Sequence, residues 1–220
     1  MRIILFGPPG SGKGTQGDLI AGRFGYPKIS TGDLLRREVE EGSALGKKAE
    51  ALMNQGKLVS DEIVEALVRK RISEPDTRHG YLLDGFPRNL SQALSLEAMD
   101  GGRAELAIEV DVDSRVLIER MGNRLTCRSC GAIVNFNLKK PGNEGRCDVC
   151  SGELYRRSDD RPEVIAERLK VYNEETSKLR EHYKSRSVYR RVDGSGSVEE
   201  VFTRIAEILD RDRAGRETER

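Results

Sequence analysis

Residues Gly7-Pro8-Pro9-Gly10-Ser11-Gly12-Lys13-Gly14-Thr15 hold the pattern Gly-x-x-x-x-Gly-Lys. Glycines let a backbone bend until successive N–H groups aim at the oxygens of a phosphate. Lys13 adds a point charge, and a following helix adds its positive end. In a chain with 23 glycines the pattern alone is weak. Its position is stronger, because it leaves a predicted strand and opens a predicted helix. Gly14 stands where most nucleotide hydrolases carry the Ser or Thr that ligates magnesium, and Thr15 comes one place later. With no Asn-Lys-x-Asp guanine motif either, a switch-type GTPase is disfavoured.

A second constellation uses every cysteine. Cys127-Arg128-Ser129-Cys130-Gly131 and Cys147-Asp148-Val149-Cys150-Ser151-Gly152 are two Cys-x-x-Cys pairs separated by sixteen residues, the spacing of a zinc ribbon. Disulfides lack a secretory context here, and a redox pair needs no second copy. Zinc is preferred over iron. Four thiolates leave no open position for water or substrate, so the metal reads as structural, replacing the core that a 38-residue insertion cannot bury. The Gly after each pair is expected to allow the tight turn that aims both thiolates.

The elements that must position these groups follow from hydrophobic pattern. Strands are predicted at Arg2 to Phe6, Tyr81 to Asp84, Leu106 to Val110 and Ser187 to Val192, with helical patterns between them. Ser60-Asp61-Glu62 has the form of a helix start followed by Val64, Leu67, Val68 and Ile72. Asp160-Arg161-Pro162 opens a long helix bearing Ile165, Leu169, Tyr172 and Leu179, with Asp160 read as a helix-cap acid. Ser197 and Glu200 form a capping box. Strands alternating with helices imply a parallel sheet, which binds ligands at the carboxyl ends of its strands. The expected class is α/β.

Composition excludes several roles. The 220 residues are 36% hydrophobic and 34% charged, yet the net charge is only +1. No global field would hold nucleic acid or an anionic membrane, so an anionic ligand needs a local arginine cluster or backbone dipoles. No apolar run reaches the ~18–20 residues that span a bilayer, and Ile3 to Phe6 is too short for a secretory segment. A cytoplasmic protein is expected, and a monomer.

The phosphate loop resembles that of the nucleoside monophosphate kinases, adenylate kinases most closely. Further motifs follow in family order across about Met1 to Glu207: Ile29-Ser30-Thr31-Gly32-Asp33-Leu34-Leu35-Arg36, Gly56-Lys57-Leu58-Val59-Ser60-Asp61, Leu83-Asp84-Gly85-Phe86-Pro87-Arg88 with Gln92, Arg120 with Arg124, and Arg157-Ser158-Asp159-Asp160 with Arg168. The resemblance implies a P-loop three-layer fold with a central parallel sheet, a helical acceptor-binding insertion and a small zinc-ribbon lid. It implies a core of residues 1–29, 60–122 and 161–209, an acceptor segment 30–59, a lid 123–160 and a disordered tail 210–220. The implied reaction is reversible phosphoryl transfer from MgATP to AMP, giving two ADP.

Residue by residue, the resemblance places Gly10, Ser11, Gly12, Lys13, Gly14 and Thr15 on the donor phosphates, with Lys13 on the transferred group. Arg88 would grip the acceptor phosphate beside Arg36, while Arg124, Arg157 and Arg168 close over the phosphates, Arg157 and Arg168 reaching the acceptor as well. A planar guanidinium suits phosphate because it binds two oxygens at once. Arg120 is either a helper on the donor or a salt-bridge partner. Asp84 would hold magnesium through water, and Asp33 either caps its helix or orients such a water. Thr31, Lys57, Leu58, Val59, Gly85, Phe86, Pro87 and Gln92 would cradle the acceptor nucleoside, Gln92 reading the adenine edge. Ile133 and Val134 stand where the family usually has an aromatic near the donor adenine, and Gly196 lies in the late loop that approaches the donor base. Competing readings are a kinase for another nucleoside monophosphate, a plain nucleotide hydrolase, and a nucleic-acid-binding ribbon. The last would need exposed aromatics, and residues 123–160 hold only Phe136 and Tyr155.

Overall fold

The computed structural model describes residues 1–103, 105–136 and 145–218. In chain order the first half holds β1 (Arg2–Phe6), α1 (Lys13–Phe24), β2 (Lys28–Ser30), α2 (Thr31–Glu40), α3 (Ala44–Met53), α4 (Asp61–Ile72), β3 (Tyr81–Asp84) and α5 (Leu90–Met99). The second half holds β4 (Glu105–Asp111), α6 (Ser114–Gly122), β5 (Arg124–Cys127), β6 (Ile133–Asn135), β7 (Leu154–Tyr155), α7 (Pro162–Glu174), α8 (Leu179–Ser185), β8 (Tyr189–Asp193) and α9 (Val198–Thr218).

Five strands form one sheet in the order β2-β3-β1-β4-β8, with every pairing parallel. β1 is central and buried along its whole length, as a strand covered on both faces must be. Because side chains alternate, Ile4 and Phe6 join Leu83 and Ala107 under α4, α5 and α8. Ile3 and Leu5 join Leu82 and Ile108 under α1 and α9. The parallel register puts the ends of β1, β3, β4 and β8 at one edge, and the loops leaving them build the site. A second, antiparallel sheet has the order β6-β5-β7 and carries both cysteine pairs.

Several elements differ from the pattern-based expectation. β2 was not predicted; its three residues are too few to show a period, and β3 alone pairs with it. The helix opened by Pro162 stops at Glu174, and Leu179 belongs to α8 after a 3₁₀ turn at Thr176–Lys178. α9 runs through Thr218 where a disordered tail was expected. Its end is tied to α1 by the Arg23–Asp210 ion pair at 2.8 Å and by Arg213 over the Phe24 ring. The capping box forms as predicted, Glu200 Oε2 accepting from Ser197 N at 2.7 Å and Ser197 Oγ from Glu200 N at 3.2 Å. Ser60 occupies the N-cap of α4 but makes no side-chain cap bond.

Candidate active site

The loop between β1 and α1 turns on glycines. Gly7 has φ +143°, and a Cβ there would sit 2.3 Å from the Val110 carbonyl oxygen, so only glycine lets the loop leave the sheet this close to β4. Lys13 folds back, its Nζ donating to the carbonyls of Gly7 and Pro8, each at 2.8 Å. At the end of β3, the Gly85 carbonyl accepts from both Thr31 Oγ1 and Arg88 Nε, each at 2.8 Å. One oxygen thereby joins α2 to the arginine beyond the strand.

The loops enclose a cavity of about 700 Å³. Nine basic and five acidic side chains line it, a local positive surplus in a chain of net charge +1. Lys13, Arg36, Arg88, Arg120, Arg124, Arg157 and Arg168 all reach it. Burial pulls the Lys13 ammonium down to about 8, with Arg88, Arg168 and Arg124 adding repulsion against the attraction of Asp84. Burial likewise lowers Arg88 to about 10, with Arg168 adding to it, and Arg157 to about 10, with Arg36 and Arg124 adding to it. Buried cations crowded until they oppose each other's charge mark a site built for a polyanion.

Carboxylates hold this crowd in place. Arg124 Nε donates to Asp160 Oδ2 at 2.7 Å, and Arg168 Nη1 meets Asp160 Oδ1 and Asp159 Oδ2, each at 3.0 Å. Asp160 is fully buried and caps nothing, which corrects its reading as a helix-cap acid. Arg157 Nε donates to Thr126 Oγ1 at 2.8 Å, Arg36 pairs with Asp33, and Arg120 donates to the Gly194 carbonyl at 3.2 Å. Asp84 lines the cavity, and burial raises its carboxyl despite the nearby Lys13 and Lys28. A Cβ at Gly14 would lie 3.6 Å from Asp84 Oδ2, so a longer side chain there would crowd this carboxylate.

A model of the adenylate kinase family matches residues 5–188. The adenylate kinase of Syntrophomonas wolfei is 46% identical over 213 residues, covering 96% of this chain and 99% of the relative. That of Syntrophobacter fumaroxidans is 46% identical over 95% of this chain and 100% of the relative, and that of Archaeoglobus fulgidus 41% identical over 96% and 99%. The chain belongs to the adenylate kinase family.

Among the residues expected to bind nucleotide, Gly10 to Thr15, Thr31, Lys57, Leu58, Val59, Gly85, Pro87, Gln92, Ile133 and Gly196 line the same cavity. Two do not. Phe86 is fully buried in the core beneath the site, packed with Ile29 and Leu83, so within Gly85 to Arg88 it is the residue that faces away. Val134 is absent from the lining because strand alternation turns Ile133 and Asn135 inward instead. Asn135, Gly194, Tyr172 and Val201 also line the cavity and were not anticipated. Asn135 and Gly194 adjoin segments already expected near the donor, whereas Tyr172 and Val201 sit on helix faces whose sequence carries no chemical signature.

The four cysteine sulfurs lie within 4.8 Å of one another. Cys127 and Cys150 are 3.4 Å apart, and Cys130 and Cys147 3.7 Å. A tetrahedron with metal–sulfur bonds of about 2.3 Å has edges of about 3.8 Å, so the cluster fits a metal such as zinc. The two pairs share one turn geometry: Gly131 N donates to Cys127 O at 3.0 Å, and Ser151 N to Cys147 O at 2.8 Å. In the second pair Ser151, not Gly152, takes the positive φ, at 57°. Gly152 is needed for a different reason, since a Cβ there would strike Ser129 Oγ at 2.5 Å and Cys127 Sγ at 2.9 Å. The Cys130 backbone N–H, aimed at the Cys127 sulfur, pulls that thiol down toward the thiolate form, while the neighbouring sulfurs push the Cys130 thiol up.

No helix among the described residues is long and apolar enough to cross a membrane.

Proposed function

We propose that the cavity holds ATP and AMP end to end and passes the terminal phosphoryl of ATP to AMP, giving two ADP. An oxygen of the AMP phosphate attacks the γ-phosphorus while the bond to the β–γ bridging oxygen breaks, and the reverse path joins two ADP. Such a transfer needs alignment and charge neutralisation more than covalent help. Gly10 to Thr15 take the donor phosphates and Lys13 the moving group. Arg88 and Arg36 take the AMP phosphate, and Arg124, Arg157 and Arg168 gather the charge that spreads in the transition state. Thr31, Lys57 to Val59, Gly85, Pro87 and Gln92 surround the acceptor nucleoside. Ile133, Arg120 and Gly196 border the donor. Asp84 would hold, through water, the magnesium that travels with ATP, which when bound screens the phosphate oxygens.

The convergence of Lys13 and six arginines on one cavity that also contains Thr31 and Gln92 carries this reading. A plain hydrolase would leave Thr31, Arg88 and Gln92 without a task. Residues 30–59 and 123–160 act as the acceptor-binding and lid parts of a core formed by 1–29, 60–122 and 161–209. The lid excludes water so that transfer outruns hydrolysis. Cys127, Cys130, Cys147 and Cys150 hold a structural zinc. The chain works as a monomer in the cytoplasm.

Incubating the protein with MgATP and each of AMP, CMP, UMP and GMP, or with none, tests this. Rapid ADP formation with AMP alone is expected. Equal turnover without an acceptor would leave a hydrolase, and equal turnover with several acceptors a broader kinase.

A further inference from the structure

Gln92 is 1% exposed, lines the cavity, and has both ends of its amide engaged by the protein. Its Oε1 accepts from the Arg88 backbone N–H at 2.8 Å, and its Nε2 donates to Asp61 Oδ1 at 2.7 Å. Asp61 is itself held, its two oxygens accepting from Asn89 Nδ2 at 3.0 and 3.1 Å. Asn89 in turn caps α5 through Gln92 N at 2.8 Å, so the amide sits on a braced helix start. Asp61 lines no part of the cavity among the described residues.

A backbone N–H can only donate and an ionised carboxylate can only accept. A reversed Gln92 amide would set N–H against N–H at one end and oxygen against oxygen at the other. The orientation is therefore dictated by the two partners. After these bonds the amide keeps one acceptor lone pair and one N–H for a ligand.

The distinction matters because a glutamine free to turn over presents either order of donor and acceptor. It pairs as well with a 6-oxo purine, which offers an acceptor at position 6 and a donor at N1, as with a 6-amino purine, which offers the reverse. A locked amide presents one order only, and the wrong purine then leaves buried polar groups mispaired. We propose that Asp61 is a specificity-determining positioning residue: by fixing the amide of Gln92 it makes the acceptor site select a 6-amino over a 6-oxo purine monophosphate. This rests on the reading that Gln92 faces the acceptor base.

The test compares kcat/KM for AMP and for IMP, which differ in the position 6 and N1 pattern, in the full-length enzyme. Gln92→Ala is expected to lower the AMP:IMP ratio by about a hundredfold and Asp61→Asn by about tenfold, with the KM for ATP unchanged. A purely structural Asp61 would lower turnover with both acceptors alike and leave the ratio intact. Asp61→Ser serves as a second variant, and thermal unfolding of each shows that it is folded. A ratio that falls in Gln92→Ala but holds in both Asp61 variants overturns the positioning role alone. A ratio that holds in Gln92→Ala overturns the base-facing reading, and the positioning role with it.

Discussion

The cavity and the cysteine-bearing sheet are held together by opposite means. Most of the cavity's cations stand on loops and helices around the parallel sheet, which has an apolar cluster on each face, while Arg124 and Arg157 reach in from β5 and the segment after β7. Within 123–136 and 145–160, by contrast, the only buried residues of apolar type are Cys127 and Cys147, and none of the apolar clusters draws on these residues. The first region can tolerate costly electrostatics because packing elsewhere supports it. The second has little packing to lose and depends on its thiolates. Side-chain changes in the cavity should therefore cost catalysis and spare the fold, while changes at the cysteines should cost the fold locally and catalysis as a consequence.

Arg88→Ala is the sharpest way to break this contrast. Removing a guanidinium from the transferred charge is expected to lower kcat/KM by about a thousandfold. The buried cation is opposed by Arg168, so the melting temperature should hold or rise, the usual exchange of activity for stability. A coupled ADP assay beside calorimetry decides it. A large fall in melting temperature would mean that the cavity is structural after all.

Stripping the cysteine site with a thiol-reactive agent and a chelator comes next. Hydrogen exchange should show protection lost in β5, β6 and β7 and retained in β1, β3 and β4, with kcat falling by about a hundredfold. Uniform loss of protection would show that the two regions fold as one unit.

Asp160 lies where the two regions meet and so measures their coupling. Asp160→Asn leaves Arg124 and Arg168 without their shared carboxylate, and breaking a buried pair by one partner costs about 3–5 kcal/mol. Global stability and kcat should fall together, whereas Arg88→Ala spares stability and stripping the cysteines costs the fold only locally. Urea unfolding followed alongside turnover checks it; intact stability would place the ion pairs wholly on the catalytic side.

What could be read before the structure divides along similar lines. The phosphate loop and the cysteine pairs were legible because each packs its chemistry into a few neighbouring positions. The long apolar strands were legible because a buried parallel strand is a continuous apolar run. Asp61 does stand in the first turn of α4 as read, but its bonds to Asn89 and Gln92, like those of the misread Asp160 to Arg124 and Arg168, were not legible, since a carboxylate's partner across the fold leaves no trace beside it in the chain. β2 was too short for any period. The outward turn of Phe86 and Val134 depends on the path of the backbone at the cavity edge, which residue type does not encode. α9 outran its expected end because contacts with α1, made by Asp210 and Arg213, hold a segment whose composition alone suggests none.

The smallest effect probes the electrostatic cost of the cavity directly. Lys13 titrates near 8 in the folded protein, below its ordinary value of 10.5, because burial disfavours the ammonium. Between those values the unfolded chain binds a proton that the folded chain does not, so this group makes stability rise as pH climbs from about 8 to about 10.5. A phosphate beside Lys13 favours the charged form and raises its pKa again. ATP binding at about pH 8.5 should therefore take up a fraction of a proton, and ATP affinity should weaken as pH rises past 8. Titration calorimetry in two buffers of different ionisation enthalpy measures the uptake. In Lys13→Arg, whose guanidinium stays charged throughout this range, the uptake should vanish. The same uptake in that variant would assign the linkage to another group and remove Lys13 from the donor phosphates.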